Sequence, residues 1–128
     1  METKLIKGLI APILTPFDND LQVDQRMYND LAKSLMDNGC SGLAPFGTTG
    51  EALSVGNSER MNALEGLVKS GIDPKKLIPG TGLCNLPDTI KITKHAIDLG
   101  CLGVMTLPPF YFKGMSDNCL FNYFENLI

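Results

Sequence analysis

Apolar and polar positions alternate along the chain in blocks that repeat one theme four times. Residues 8–14 are mostly apolar and run into Thr15-Pro16-Phe17, which predicts a buried strand stopped by proline. A polar turn over 18–22 leads into helical spacing over 24–37. There Tyr28, Leu31, Leu35 and Met36 are expected on the inner face, and Gly39 supplies a left-handed stop. The second unit is a short strand over 42–46, a glycine–threonine loop, and a helix over 58–70. Met61, Leu64, Leu67 and Val68 share one side of that helix, and Gly71 ends it. In the third unit a brief strand over 77–79 meets a second loop, Gly80-Thr81-Gly82. Asn85 is the expected N-cap of the next helix, with Pro87 in its first turn, Ile90, Thr93, Ala96 and Ile97 facing inward, and Gly100 closing it. The fourth strand covers 102–107, and Pro108-Pro109-Phe110-Tyr111-Phe112-Lys113-Gly114 follows. Ser116 caps a last helix with Leu120, Phe121, Phe124 and Leu127 expected inside; no glycine or proline ends it, which reads as a cut.

Four strand–helix units in succession predict an α/β fold with a parallel sheet, because parallel strands need crossovers. The repeat length favours the N-terminal half of a (β/α)8 barrel, a single partial domain over 1–128, over a small doubly wound sheet. A full barrel takes roughly 250 residues, so four units fill about half. In either architecture ligand chemistry gathers beyond the carboxyl ends of the strands, where all three unusual loops fall.

The most informative of these loops is Gly47-Thr48-Thr49-Gly50-Glu51. Glycine permits positive φ and close backbone approach, so the loop can aim N–H groups and two hydroxyls at one small anion such as a carboxylate. The same pentapeptide is also ordinary turn material.

Composition narrows the classes. With 44% hydrophobic and 20% charged residues among 128, the chain is an ordinary globular domain large enough for a core. A net charge of −3 without any basic run gives no reason to expect nucleic acid. The opening Met1-Glu2-Thr3-Lys4-Leu5-Ile6-Lys7 lacks a signal-peptide core, and no segment is long enough to span a bilayer, so cytoplasm is the expectation. Cys40, Cys84, Cys101 and Cys119 are scattered, and most of them are expected as small buried hydrophobes, with neither a zinc site nor disulfides. His95 is expected as a packed or surface residue, and Asp18 and Asp20 as parts of a solvated turn; no metal is called for.

The run Gly8-Leu-Ile-Ala-Pro-Ile-Leu-Thr-Pro-Phe17, the Gly47–Glu51 motif, Gly80-Thr-Gly82 and the Pro-Pro-Phe-Tyr turn together resemble the dihydrodipicolinate synthase / N-acetylneuraminate lyase family. The likeness covers the whole chain but only the first half of a family member. Thr-Pro-Phe followed about 30 residues later by Gly-Thr-Thr-Gly-Glu is the specific part.

The resemblance implies a class I aldolase on a (β/α)8 barrel that uses or releases pyruvate. A lysine on a later strand forms a Schiff base there, and the cationic nitrogen is the electron sink that stabilises the adjacent carbanion. Carried over by position, Thr48 is the hydroxyl of a proton relay between two tyrosines. Thr49, with the local amides of Gly47 and Gly50, holds the pyruvate carboxylate. A relay hydroxyl must donate and accept at once, which suits threonine. The first relay tyrosine comes from the aromatic pair after strand four and reaches a neighbouring subunit. Anchoring on Pro109 makes it Tyr111; anchoring on the helix start puts Phe112 there instead, which has no hydroxyl.

The second tyrosine, the carboxylate-binding arginine and the Schiff-base lysine are expected beyond Ile128. None of Lys69, Lys75, Lys76, Lys91, Lys94 and Lys113 matches the lysine's position. Thr48-Thr49 favours a member like 4-hydroxy-tetrahydrodipicolinate synthase, acting on pyruvate and aspartate semialdehyde in lysine biosynthesis. A keto-sugar-acid aldolase, an N-acetylneuraminate lyase and a non-catalytic keto-acid-binding module are the alternatives. A complete flavodoxin-like domain is disfavoured by the absence of a phosphate-binding fingerprint. No cofactor is implied, and the full-length protein is expected to be a homo-oligomer, a dimer or tetramer. The 128-residue chain alone is expected to be inactive and, with two open sheet edges, to aggregate or pair with a second copy.

Overall fold

The computed structural model describes residues 7–128; the opening Met1-Glu2-Thr3-Lys4-Leu5-Ile6, read above for a leader, lies outside the described residues. Strand β1 (Ile10–Pro12) pairs in parallel with β2 (Gly42–Ala44), Ile10 opposite Gly42 and Pro12 opposite Ala44. Residues 77–80 lie beside β2, with Ile78 N donating to Leu43 O at 3.0 Å and Gly80 N to Pro45 O at 2.7 Å. Residues 102–106 lie beside those, through Leu102 N to Leu77 O at 3.1 Å and Met105 N to Pro79 O at 2.9 Å. The order therefore follows the chain, each strand parallel to the one before. A doubly wound sheet would turn back and bury its first strand; here, among the described residues, β1 is an edge.

The strands are shorter than the apolar runs. The last pairing shows why: its donors Leu102 and Met105 are three apart, while the acceptors Leu77 and Pro79 are two apart. One extra residue at Gly103-Val104 is left unpaired, a bulge that no apolar run announces.

Four helices form a single row, α1 (Gln25–Asp37) on α2 (Asn57–Lys69), α2 on α3 (Leu86–Asp98), and α3 on α4 (Asp117–Leu127). Each starts near its expected place. Asp24, Asn85 and Ser116 cap α1, α3 and α4 through their side-chain oxygens, satisfying N–H groups that the first turn leaves free. The core lies between helices and sheet and contains Ile13, Tyr28, Ala32, Leu43, Phe46, Leu64, Leu67, Leu77 and Ala96. No described helix is long and apolar enough to cross a membrane.

The expected inner faces of the last two helices need correction. On α3, Thr89, Ile92 and Ala96 are buried, whereas Ile90 and Ile97 are 38% and 50% exposed. Thr89 can face inward because its hydroxyl bonds Asn85 O at 2.8 Å and accepts from Tyr123 Oη at 3.0 Å. On α4 that same Tyr123 is the buried residue, its hydroxyl also reaching Leu83 O at 3.1 Å, while Phe121 is 69% exposed. Satisfied hydroxyls, not raw hydrophobicity, set both rotations.

The expectation that most thiols are buried fails: of the four, all free, only Cys101 is buried, and burial pushes it up to about 11, while Cys40 and Cys84 are half-buried and Cys119 is exposed. His95 links α3 to α2, its Nε2 lying 3.0 Å from Glu65 Oε1. Asp18 closes its turn by accepting from Asp20 N and Gln22 N at 2.9 and 3.0 Å.

Candidate functional site

A cavity of about 690 Å³ opens beyond the carboxyl ends of the strands. Its walls include Pro12, Gly47, Thr48, Glu51, Gly80, Gly82, Met105, Leu107 and Phe110. All three loops singled out from the sequence therefore meet there.

The Gly47–Glu51 motif is held by unusual backbone at both flanks. Phe46 and Glu51 have φ of 57° and 50°, left-handed values that non-glycine residues seldom adopt. The sequence allowed the motif's glycines either positive φ or close backbone approach, and close approach is what Gly50 uses; neither Gly47 nor Gly50 has a positive φ. A Cβ on Gly50 would stand 2.9 Å from Ile13 O and 3.1 Å from Phe46 N. Gly50 is buried, and its carbonyl accepts from Thr15 Oγ1 at 2.7 Å, tying the motif to the end of the first strand. Such strain persists only where surroundings enforce it, and it concentrates at functional sites.

Arg60, which the sequence reading passed over, is one enforcing group. It is 3% exposed at the start of α2. Its Nε donates to Val55 O at 3.2 Å, and its Nη2 donates to Ala52 O. The guanidinium thus clamps the 3-10 turn Ala52–Ser54 that follows Glu51, and burial lowers its pKa.

Below the motif Tyr28 is fully buried, its ring tilted at 50° to Phe46 with centroids 5.9 Å apart. Burial drives its phenol pKa upward. The Thr15 hydroxyl beside it opposes the rise only in part, because Thr15 gives its own proton to Gly50 O and leaves Tyr28 Oη without a well-formed bond.

Thr48 and Thr49 are both exposed at the mouth, but Thr48 lines the cavity and Thr49 does not. Gly47 lines it, and Gly50 lies beneath. Tyr111 is 79% exposed and points outside the cavity, against Phe112 edge-on, while Phe110 forms part of the wall. Thr81, between two glycines of the second loop, is fully buried on the helix side. It accepts from Thr93 Oγ1 at 2.8 Å and lies 3.0 Å from Thr106 Oγ1. Its flanking glycines let the strands crowd, since a Cβ on Gly82 would meet Leu107 N at 2.6 Å. Lys69, Lys75, Lys76, Lys91, Lys94 and Lys113 are all exposed, and none lines the cavity.

The arrangement offers a hydroxyl at the rim of a mostly apolar cavity, with one carboxylate, Glu51, beside it. That suits a small polar ligand oriented by few groups and shielded from water by the rest. A 2-keto-3-deoxygluconate aldolase variant from Sulfolobus solfataricus superposes with a TM-score of 0.85 at 30% identity, over 94% of this chain and 40% of that one. A dihydrodipicolinate synthase from Agrobacterium tumefaciens superposes with a TM-score of 0.89 at 33% identity, over 94% of this chain and 42% of that one. A "DapA-like lyase" from Chloroflexus aurantiacus is 36% identical over 122 residues, 94% of this chain and 40% of its own length. The chain thus spans about two fifths of the relatives it matches, and its four units are the N-terminal half of a (β/α)8 barrel. The sequence model of the dihydrodipicolinate synthetase family matches residues 5–128, and the chain belongs to that family.

Proposed function

We propose that these four units are the amino-terminal half of the active site of a Schiff-base aldolase that joins pyruvate to an aldehyde or releases it. The observation that carries the reading is Thr48 on the cavity wall, at the carboxyl ends of the parallel strands, in a motif strained at both flanks. In this reading Thr48 relays a proton. Thr49 and the amides of Gly47 and Gly50 hold the keto acid's carboxylate, and Tyr111, projecting from the domain, completes the relay of an adjoining subunit. The chain's own contribution is binding, orientation and proton transfer; the Schiff-base lysine belongs to the other half. A hydroxyl serves the relay because it can give one proton and take another without carrying net charge.

Aspartate semialdehyde is the favoured aldehyde, and a keto-sugar acid the second reading, since both enzyme types are among the matched structures. Two experiments test the proposal on the 128-residue chain. Pyruvate with borohydride is expected to leave no lysine adduct, and an adduct would overturn the placement of the lysine in the other half. Calorimetric titration with pyruvate should give a heat that falls in Thr49→Val. An unchanged heat removes Thr49 from the carboxylate site.

A further inference from the structure

Tyr28 is fully buried, and among the described residues its Oη makes no well-formed hydrogen bond. Shutting a hydroxyl away from water without a full partner costs free energy. A phenylalanine would fill the same space against Phe46 and the rest of the core without that cost. Stability therefore does not account for the phenol oxygen; its surroundings do.

The hydroxyl that acts on Tyr28 Oη is that of Thr15. Thr15 is itself 6% exposed, and its one proton goes to Gly50 O at 2.7 Å. Toward Tyr28 it offers only lone pairs, which a phenol proton suits, and burial keeps this phenol protonated. Gly50 O belongs to the peptide unit whose other end, Glu51 N, donates to Thr48 O at 3.1 Å. A peptide is planar, so whatever turns its carbonyl turns its N–H as well. The Gly50–Glu51 unit thus joins two buried hydroxyls on one side to Thr48, on the cavity wall, on the other. That unit needs an anchor, because Glu51 holds a left-handed φ of 50° and Gly50 has no side chain to resist rotation.

We propose that Tyr28 is a positioning residue: through Thr15 its hydroxyl sets the orientation of the Gly50–Glu51 peptide, and with it the pose of Thr48 and Thr49 at the cavity mouth. A proton directed at Thr15 Oγ1 polarises the Thr15 hydroxyl and strengthens its own bond to Gly50 O. The consequence for ligand binding rests on the aldolase reading; the orientation of the peptide does not.

The sequence contains one Gly-Glu pair, residues 50–51. A chain labelled with carbonyl-13C glycine and 15N glutamate therefore gives one signal in a carbonyl–amide correlation spectrum, from this peptide. An accepted hydrogen bond moves a carbonyl carbon downfield, so Thr15→Val should move the Gly50 signal upfield and Thr15→Ser should restore it. Tyr28→Phe should move it the same way by less. The double variant should move no further than Thr15→Val alone, since Tyr28 acts through Thr15. If Thr15→Val fails to fold, the shift in Tyr28→Phe, which keeps the ring, still decides. A signal unmoved by Tyr28→Phe, or shifts that add in the double variant, would make Tyr28 a core filler and overturn the proposal. The urea midpoint of Tyr28→Phe should hold or rise, because the variant removes a buried hydroxyl without a full partner. A fall with the signal in place would mark a packing role and overturn it too. Calorimetric titration with pyruvate separates the two readings: Kd should rise about fivefold in Tyr28→Phe. A moved signal with unchanged affinity would overturn the link to the site. A wild type that binds no pyruvate would remove the keto-acid reading and leave the carbonyl signal to decide the positioning one.

Discussion

Gly80→Ala is the sharpest test of how the site is built. A methyl at Gly80 lands on Phe46 O and 2.8 Å from its carbonyl carbon, both backbone atoms of the residue that enters the motif at φ 57°. No side-chain rotation relieves that contact. Either residues 77–80 separate from β2, breaking the Gly80 N to Pro45 O bond of 2.7 Å, or Phe46 moves and carries Gly47 and Thr48 with it. Overpacking of this kind costs about 3 kcal/mol. Gly103→Ala is the matched control. It lies in the neighbouring strand segment, with nothing within 4 Å of the added methyl and no positive φ. There the substitution should be neutral or stabilise by up to about 1 kcal/mol through the unfolded chain. Urea unfolding of both variants, followed by circular dichroism at one protein concentration, measures the difference. With a slope of about 1.5 kcal/mol per M, Gly80→Ala should lower the midpoint by about 2 M while Gly103→Ala leaves it in place. Equal midpoints would refute the argument that Gly80 exists for close approach.

Further consequences can be measured on the same chain. Arg60→Met frees the carbonyls of Val55 and Ala52 and should cost about 2 kcal/mol in urea unfolding, with Arg60→Lys recovering part of it. Tyr123→Phe removes the hydroxyl joining α4 to Leu83 O and Thr89 Oγ1 and should lower stability by about 1 kcal/mol in thermal unfolding. Glu65 is held below its ordinary 4.5, first by the hydrogen bond from His95 and then by Lys69. Below 4.5 the unfolded chain therefore binds the proton first, so this contribution is present above that pH and is lost as pH falls through the lower folded value. Glu65→Gln should flatten the acid limb of a melting-temperature profile, and an unaltered limb would remove Glu65 as its source.

Much of this protein was legible from its residues, for reasons that differ by level. The α1 boundary was readable because Asp24 and Gly39 act through local geometry, and Gly39 does take φ 101°. The mouth of the site was readable because parallel strands force their connecting loops to one end. The rotations of α3 and α4 were not readable. Thr89 and Tyr123 look polar in isolation and turn inward only because each supplies the other's hydrogen bond across 34 residues. Arg60 was missed for the same reason, since the carbonyls that accept its protons are exposed by a turn the sequence does not display.

By itself the order of residues determined four strand–helix units, their direction and the end at which chemistry collects, since helical period, caps and proline stops are local forces. Only the folded chain decided that the strands run one after another from edge to edge and that Phe46 and Glu51, not the glycines, carry the left-handed turns. It also decided that Thr81 faces the helices while Thr48 faces the cavity. Those choices depend on which backbone atoms compete for the same space, and no stretch of chain contains that information alone.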